Sequence, residues 1–193
     1  MRRVVIIQGH PDPDQSHLCH ALADAYAQGA IDAGHGVTRI DIAGIDIPPL
    51  RNKTEFEHDD LPESLKPARD AVVSSEHVVI IFPLWLGTMP AMVKAFFEQL
   101  MRPGVAFLYQ EKAMPKKLLA GRSAHVVVTM AMPAFVYRWI YFAHGVRALE
   151  RNILNFVGIK PVRKTYLGPA EGKDDRRRTA WLERMRADGA RLR

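Results

Sequence analysis

The most constraining feature of this chain is the segment 78–107, in which an apolar run leads into a turn and then into a helix. Residues 78–82 show no alternation of polar and apolar side chains, so they predict a strand that is buried on both faces. Pro90 suits the first turn of the following helix, because its missing N–H costs nothing there. Parallel sheets covered by helices have this pattern, and they bind ligands just beyond the carboxyl ends of their strands.

The N-terminal region repeats the pattern. An apolar run at residues 4–7 is followed by a loop rich in Pro and Asp and then by helical sequence, which Asp14 or Ser16 is predicted to cap. The apolar face of this helix consists of Leu18, Leu22, Ala25 and Gly29. Free N–H groups at its start would form an anion site. Neither GxxxxGK[ST] nor GxGxxG occurs in the sequence, which argues against a triphosphate P-loop and a dinucleotide fingerprint.

Three further segments predict strands, at residues 36–42, 124–129 and 162–167, with helical patterns between the strands. The alternating order predicts an α/β fold with a doubly wound, five-stranded parallel sheet. Residues 1–193 are expected to form a single domain, because their number lies within the usual range for one core. Residues 43–62 contain two consecutive prolines and little periodicity, so they predict a long loop.

Loops after three strands are expected to converge on one ligand. Backbone N–H groups of residues 84–87 would be free to meet a flat ligand with polar edges, although Trp85 equally fits a role as an aromatic that caps the core. The third such loop, residues 129–133, precedes an aromatic stretch at residues 134–145. Tyr137 and His144 would supply polar groups to an apolar pocket there. The alternative is that this stretch forms a dimer surface or a core helix.

Metal and nucleic-acid sites are not expected. His10, His17, His20 and Cys19 are close in sequence, but the chain contains only one cysteine and no second Cys/His group at finger-like spacing. Cys19 has no evident catalytic partners, so it is interpreted as a small buried residue. The 27 Lys and Arg against 21 Asp and Glu give a net charge of +6, which can attract phosphates or an acidic surface. No nucleic-acid-binding module is recognisable.

The residues resemble the flavodoxin-fold NAD(P)H:quinone oxidoreductases, including their short bacterial members and the ancillary flavoproteins of potassium-efflux systems. The resemblance spans nearly the whole chain and implies the flavodoxin-like form of the predicted sheet, with helices on both faces. It rests on Gly9-His10-Pro11 with residues 16–22, on Phe82-Pro83-Leu84-Trp85 with Pro90, Ala91 and Lys94, and on residues 104–107.

The resemblance implies an FMN or FAD cofactor with NAD(P)H as co-substrate. The implied cofactor-binding residues are His10, Ser16, His17, Leu18 and Cys19 around the phosphate, Pro83, Leu84, Trp85 and Leu86 along the ring edge, and Thr129, Met130, Ala131 and Met132 at the pyrimidine side. Tyr137 and His144 match the family's catalytic Tyr and His. Family members commonly have a Thr-x-Gly-Gly-like turn where this chain has Met130-Ala131-Met132-Pro133.

The implied activity is a ping-pong transfer of two electrons from NAD(P)H to a quinone or similar electrophile, because the flavin supplies the hydride chemistry. The alternatives are a flavin-bearing ancillary subunit of a membrane transporter and a domain that has lost its flavin. A homodimer is expected from the resemblance, and contact with a membrane surface or a transporter is left open. The single cysteine and the lack of an apolar run of spanning length predict a cytoplasmic protein.

Overall fold

The computed structural model describes residues 1–58, 60–171 and 175–192. Its main sheet contains five parallel strands: β1 (Arg3–Gln8), β2 (Gly36–Asp41), β3 (His77–Pro83), β6 (Ser123–Thr129) and β7 (Val162–Leu167). Their order in the sheet is β2-β1-β3-β6-β7. The predicted flavodoxin-like, doubly wound sheet is therefore confirmed, with each predicted strand within a residue of its observed ends.

Helices connect the strands. They are α1 (Leu18–Asp32), α2 (Lys53–Glu57), α3 (Lys66–Ser74), α4 (Ala91–Leu100), α5 (His144–Ala148), α6 (Asn155–Val157) and α7 (Asp175–Arg191). Two π-helical turns, Val136–Ile140 and Leu149–Leu154, lie beside and within the α5–α6 region. No helix among the described residues is both long and apolar enough to cross a membrane.

Alternate side chains of each central strand enter two different cores. In β1, Val4 and Ile6 pack on the face covered by α1 and α7, whereas Val5 and Ile7 pack on the face covered by α3 and α4. Because successive side chains of a strand point to opposite faces, an unbroken apolar run is what a sheet with two covered faces requires. This arrangement accounts for the runs that the sequence shows at residues 4–7 and 78–82.

Two elements differ from the sequence-based expectation. Residues 43–62 are not a loop throughout, because they include α2, whose N-cap Asn52 accepts a hydrogen bond from the Glu55 N–H at 2.9 Å. The Asn-x-x-Glu spacing is close to a capping box and could have indicated this helix. The second addition is an antiparallel hairpin of β4 (Phe107–Gln110) and β5 (Ala113–Lys117) outside the main sheet.

Acid is expected to destabilise the fold through His77, which is buried at the start of β3. Its ring bonds to the Tyr26 hydroxyl at 3.0 Å and to the Ser123 hydroxyl at 2.7 Å. Burial, with smaller contributions from Arg2 and His35, lowers the pKa of His77 from 6.5 to about 4. The neutral ring therefore contributes its full stability above about pH 6.5, and this is lost as the pH falls towards about pH 4.

The expected loss from His77 is about 2 kcal/mol in the free energy of unfolding between pH 7 and pH 5. Urea unfolding of the parent and of His77→Gln at both pH values measures it. The variant is expected to be less stable at pH 7 but to have the shallower pH dependence. His58→Gln changes an exposed histidine and is the matched control. Equal slopes for the parent and His77→Gln would contradict the assignment.

Candidate functional site

Three strand ends meet at the carboxyl edge of the sheet. β1 lies between β2 and β3, so the chain reverses its winding direction at β1, and ligands of doubly wound sheets bind at such a point. Pro83 at the end of β3 is in register with Thr129 at the end of β6. The Gly9 N–H donates to the Ile81 carbonyl at 2.7 Å, and a Cβ at Gly9 would lie 3.0 Å from that same oxygen. A glycine therefore lets the first loop pass close to β3.

An open cleft of about 280 Å³ occupies this edge. Eleven of the predicted cofactor-binding residues line it: His10, Ser16, His17, Leu18, Cys19, Pro83, Leu84, Trp85, Thr129, Met130 and Ala131. Leu86 and Met132 do not line it, nor do Tyr137 and His144. The sequence analysis missed Ala170, Glu171 and Arg178, which complete the lining. The sequence contains three successive arginines at 176–178, but nothing local in it indicates that Arg178 reaches the cleft.

The start of α1 presents unsatisfied donors to this cleft. Its N-cap is His17, which makes no capping hydrogen bond through its side chain, so the predicted cap by Asp14 or Ser16 is wrong. Asp14 instead accepts from the Ser16 N–H within the loop at 2.9 Å. Within the described part of the chain, the N–H groups of Leu18 and Cys19 donate no hydrogen bond. No acidic residue occupies the first turn, and such a helix start is suited to an anion.

Arg178 adds a positive charge to the same cleft. It lies in the first turn of α7, is exposed, and forms no ion pair with a described residue. Two free N–H groups and a guanidinium around one opening are the donors that a phosphate monoester needs. We call this set, comprising Leu18 N–H, Cys19 N–H and Arg178, the anion cradle.

The three histidines are organised around Asp12. Its N–H donates to Nδ1 of His10 at 3.1 Å, its carboxylate contacts Nε2 of His17 at 3.0 Å, and its carbonyl contacts Nε2 of His20 at 3.2 Å. The rings of His10 and His17 stack, with centroids 3.9 Å apart. Among residues 1–58, 60–171 and 175–192, no three His, Cys, Asp or Glu side chains are grouped as metal ligands would be. A metal-free site remains a prediction.

His10 is held in its neutral form at the edge of the cleft. Burial, followed by the neighbouring His17, lowers the pKa of His10 below its ordinary value of 6.5. Nδ1 of His10 lies 3.1 Å from the Asp12 N and 3.3 Å from the Asp12 carbonyl oxygen, so the backbone of Asp12 holds the ring in either neutral tautomer.

Cys19 is buried, and its Sγ lies 3.3 Å from the Thr129 hydroxyl. Burial raises the pKa of this thiol to about 11. Because the thiolate is the nucleophilic form, Cys19 is not prepared for covalent catalysis. Its contact instead joins the start of α1 to the end of β6.

The turn after β3 has fewer free amides than expected. The Leu84 N–H donates to the Thr129 carbonyl at 2.7 Å, and the Trp85 N–H donates to the Thr88 carbonyl at 2.9 Å. The prediction that all amides of residues 84–87 are free is therefore wrong for the first two. Leu86 has a positive φ of 47° and its side chain is fully exposed. Such backbone strain in a non-glycine residue is typical of functional loops.

The turn after β6 offers free donors despite its lack of glycines. The Met130 N–H donates to the Leu167 carbonyl at 2.9 Å, whereas the N–H groups of Ala131 and Met132 have no partner among the described residues. The strand-end loop after β7 approaches this turn closely, because a Cβ at Gly168 would lie 2.2 Å from the Met132 carbonyl. Here the close approach requires a glycine in the neighbouring loop and not in the turn itself.

An apolar cavity of about 600 Å³ adjoins the cleft. Trp85 is about half exposed and lines both spaces. The cavity lies between the β3 turn with α4 and the second π turn. Its lining is Trp85, Leu86, Thr88, Met89, Pro90, Ala91, Lys94, Ala148, Leu149, Asn152 and Ile153. A polar cleft and an apolar cavity with a shared aromatic wall are suited to a flat ligand with a phosphate tail.

The two predicted catalytic residues differ in accessibility. The Tyr137 ring is buried, and its hydroxyl donates to the Gly87 carbonyl at 3.0 Å and accepts from the Val146 N–H at 3.3 Å. Burial raises the pKa of Tyr137, so its hydroxyl stays protonated. His144 is exposed at the start of α5. Tyr137 thus fixes the turn beside Trp85, whereas His144 is free to meet a ligand.

Comparisons with known proteins agree with this geometry. Residues 2–188 match the family model described as the flavodoxin-like fold. The chain is similar to an uncharacterized NAD(P)H oxidoreductase of Haemophilus influenzae, with 22% identity over 93% of this chain and 90% of that protein. It is also similar to an FMN-dependent NADH:quinone oxidoreductase of Alteromonas mediterranea, with 29% identity over 70% of each chain.

Among solved structures, the chain is similar in fold to an NAD(P)H:quinone oxidoreductase from Methanothermobacter marburgensis. The TM-score is 0.82 at 22% identity, and the match covers 100% of this chain and 99% of that one. The family match spans nearly all of the sequence, and the strand order is the one that the fold requires. This chain therefore belongs to the flavodoxin-like fold family.

Proposed function

We propose that this protein is a flavin-dependent NAD(P)H oxidoreductase that transfers two electrons, in a ping-pong sequence, to quinones or similar electrophiles. The observation that carries the proposal is the junction at Trp85 between the anion cradle and the apolar cavity. Relatives named as FMN-dependent NADH:quinone oxidoreductases support FMN over FAD as the cofactor. The same names support an oxidoreductase over the ancillary-subunit alternative.

The residues present fit a flavin mononucleotide. The free N–H groups of Leu18 and Cys19, with Ser16 and His10 beside them, would hold the phosphate, and Arg178 would balance its charge. A bound flavin supplies the hydride chemistry, and the protein supplies orientation and electrostatics.

The turns after β3 and β6 would hold the ring. Pro83, Leu84 and Trp85 provide its apolar support, and the free amides of Ala131 and Met132 provide donors for its polar edge. Preorganised amides of this kind stabilise negative charge that develops during a reaction. The turn after β6 could therefore bind the pyrimidine side of the ring, as the resemblance implies, although it lacks glycines.

Proton delivery to the acceptor is assigned to His144 and Tyr137. His144 is exposed and can donate directly. The Tyr137 hydroxyl is protonated but already donates to the Gly87 carbonyl, so its main contribution is to hold the turn after β3. It could donate to the acceptor only by giving up this hydrogen bond. The apolar cavity is the proposed site for the quinone ring, because it begins at the same Trp85.

A homodimer is part of the proposal. The exposed Leu86 and the cavity beside α4 offer apolar surface that a second copy could cover, so that the quinone site would lie between two copies. A cytoplasmic location is proposed from the single cysteine, which is free and buried.

The function is tested by spectroscopy of the purified protein. The expected results are a flavin absorbance spectrum, FMN on chromatography of the released cofactor, bleaching by NADPH without oxygen, and recovery when benzoquinone is added. A bound flavin that NADPH cannot bleach would favour the ancillary role. A protein that stays colourless after incubation with FMN would refute both and favour a domain without flavin.

Substitution of Arg178 is expected to weaken FMN more than riboflavin, because riboflavin lacks the phosphate. Arg178→Gln removes one charged contact, and since this side chain is exposed the expected loss of FMN affinity is about threefold to tenfold. Quenching of flavin fluorescence measures both affinities. Arg176→Gln is the matched control, since Arg176 is exposed on the same turn but does not line the cleft. Equal losses of FMN affinity in the two variants would mean that Arg178 does not contact the phosphate.

A further inference from the structure

The segment 135–142 forms an unusual exposed surface outside the flavin cleft. Five large apolar side chains within eight residues are between 52% and 66% exposed: Phe135, Trp139, Ile140, Tyr141 and Phe142. We call these five side chains the aromatic patch. Single exposed apolar residues are common, but a contiguous group of this size marks an interaction surface.

The backbone keeps part of the patch turned outward. Phe142 and Ala143 have positive φ values of 51° and 48°, which non-glycine residues rarely adopt. The Ala143 N–H donates to the Tyr137 carbonyl at 2.9 Å, and Ala143 itself is buried. Phe142 and Ala143 therefore form a turn in which Ala143 is buried and the Phe142 side chain is exposed. Retained strain of this kind is typical of functional segments.

Basic side chains border the patch, and some of them are paired with carboxylates. Beside it lies a second cavity, of about 270 Å³, whose lining includes Phe135, Arg138, Trp139, Lys164, Tyr166 and Arg184. Arg138 stacks over the Trp139 ring at 5.1 Å and forms no ion pair with a described residue. Lys164 is paired with Glu150 at 2.5 Å, and Arg184 is 3.7 Å from Asp188. The exposed Arg147 and Arg151 extend the basic surface along the next helical turns.

We propose that the aromatic patch and its basic rim dock this protein on an anionic lipid bilayer. Trp and Tyr favour the level of the headgroups, and Lys or Arg beside exposed apolar residues attract acidic lipids. The charge complementarity favours lipid over a second copy of this chain, because another copy would bring the same excess of arginines to the contact. Arg138, which lines the second cavity and has no ion pair with a described residue, would contact a lipid headgroup phosphate.

Flotation of the full chain with vesicles tests the proposal without using enzyme activity. The protein should float with phosphatidylcholine vesicles that contain about one-third phosphatidylglycerol, but not with phosphatidylcholine alone, and added salt should release it. Trp139→Ala combined with Phe142→Ala should lower the partition coefficient by about tenfold. Arg138→Gln should lower it by about fivefold.

Two control variants separate the patch from general surface properties. Met114→Ala removes an exposed apolar residue of the hairpin, and Lys53→Gln removes an exposed charge on α2; neither should change flotation. All of the replaced side chains are exposed, and unchanged circular dichroism would establish that the variants fold. Absence of flotation, or equal flotation of the double variant, would overturn the proposal. A patch variant that loses self-association in sedimentation, while the parent does not float, would assign the surface to a second copy and overturn it also.

Discussion

Replacement of Gly29 by alanine is expected to lower the free energy of unfolding by about 2 kcal/mol. Gly29 lies on α1 where that helix crosses α7, and a Cβ there would be 1.9 Å from the Arg186 carbonyl oxygen. No flexible side chain can yield at this point, so one backbone must move. Overpacking costs about 1–3 kcal/mol, and the cost here belongs at the upper end. The better helix propensity of alanine offsets about 1 kcal/mol of it.

Chemical and thermal unfolding measure this effect, and for a domain of this size a loss of that size corresponds to a fall in Tm of about 4–8 °C. Gly44→Ala is the matched control, because a Cβ at Gly44 would meet no atom within 4 Å. Gly189→Ala should resemble Gly29→Ala, since its Cβ would be 2.1 Å from the Tyr26 carbonyl on the facing helix. A Gly29→Ala protein as stable as the parent would mean that α1 and α7 are free to separate.

This helix contact also shows why the fold was only partly predictable. The order of strands and helices follows from local periodicity, and the apolar runs at residues 4–7 and 78–82 are clear signals. The sequence pattern places Gly29 on the apolar face of a helix but does not indicate which backbone packs against it. The sequence did not indicate the hairpin at 107–117 for a related reason: its strands pair with each other outside the main sheet, and only Phe107 and Pro115 of its nine strand residues are buried or partly buried.

The candidate site was predicted as a set of loops, and these loops do converge. Eleven of the thirteen proposed cofactor positions line one cleft, because the carboxyl ends of β1, β3 and β6 are neighbours in the sheet. The sequence did not predict which backbone amides are free or which distant side chains reach the cleft. Whether the Leu84 amide is free depends on the Thr129 carbonyl, and whether Arg178 reaches the cleft depends on the placement of α7; both are long-range relations.

The anion cradle supplies the second large expected effect. Leu18→Pro should weaken FMN binding by about tenfold to a hundredfold while leaving riboflavin binding nearly unchanged. Leu18 is the first residue of α1, and its N–H has no partner among the described residues. Proline removes that donor at the helical position where it is best tolerated. The preceding His17 has φ −67° and ψ 139°, a conformation that a residue before proline prefers. A hydrogen bond to a charged group contributes about 1.5–3 kcal/mol.

Leu18→Ala is the matched control for that experiment, because it shortens the partly buried side chain and keeps the N–H. If the phosphate binds at the start of α1, the alanine variant should retain most of its preference for FMN over riboflavin, whereas the proline variant should lose it. Equal preference in both variants would mean that the Leu18 amide does not contact the phosphate. In that case the contacts from His10, Ser16 and Arg178 would have to account for phosphate binding, and the helix start would serve only to place Cys19 against Thr129.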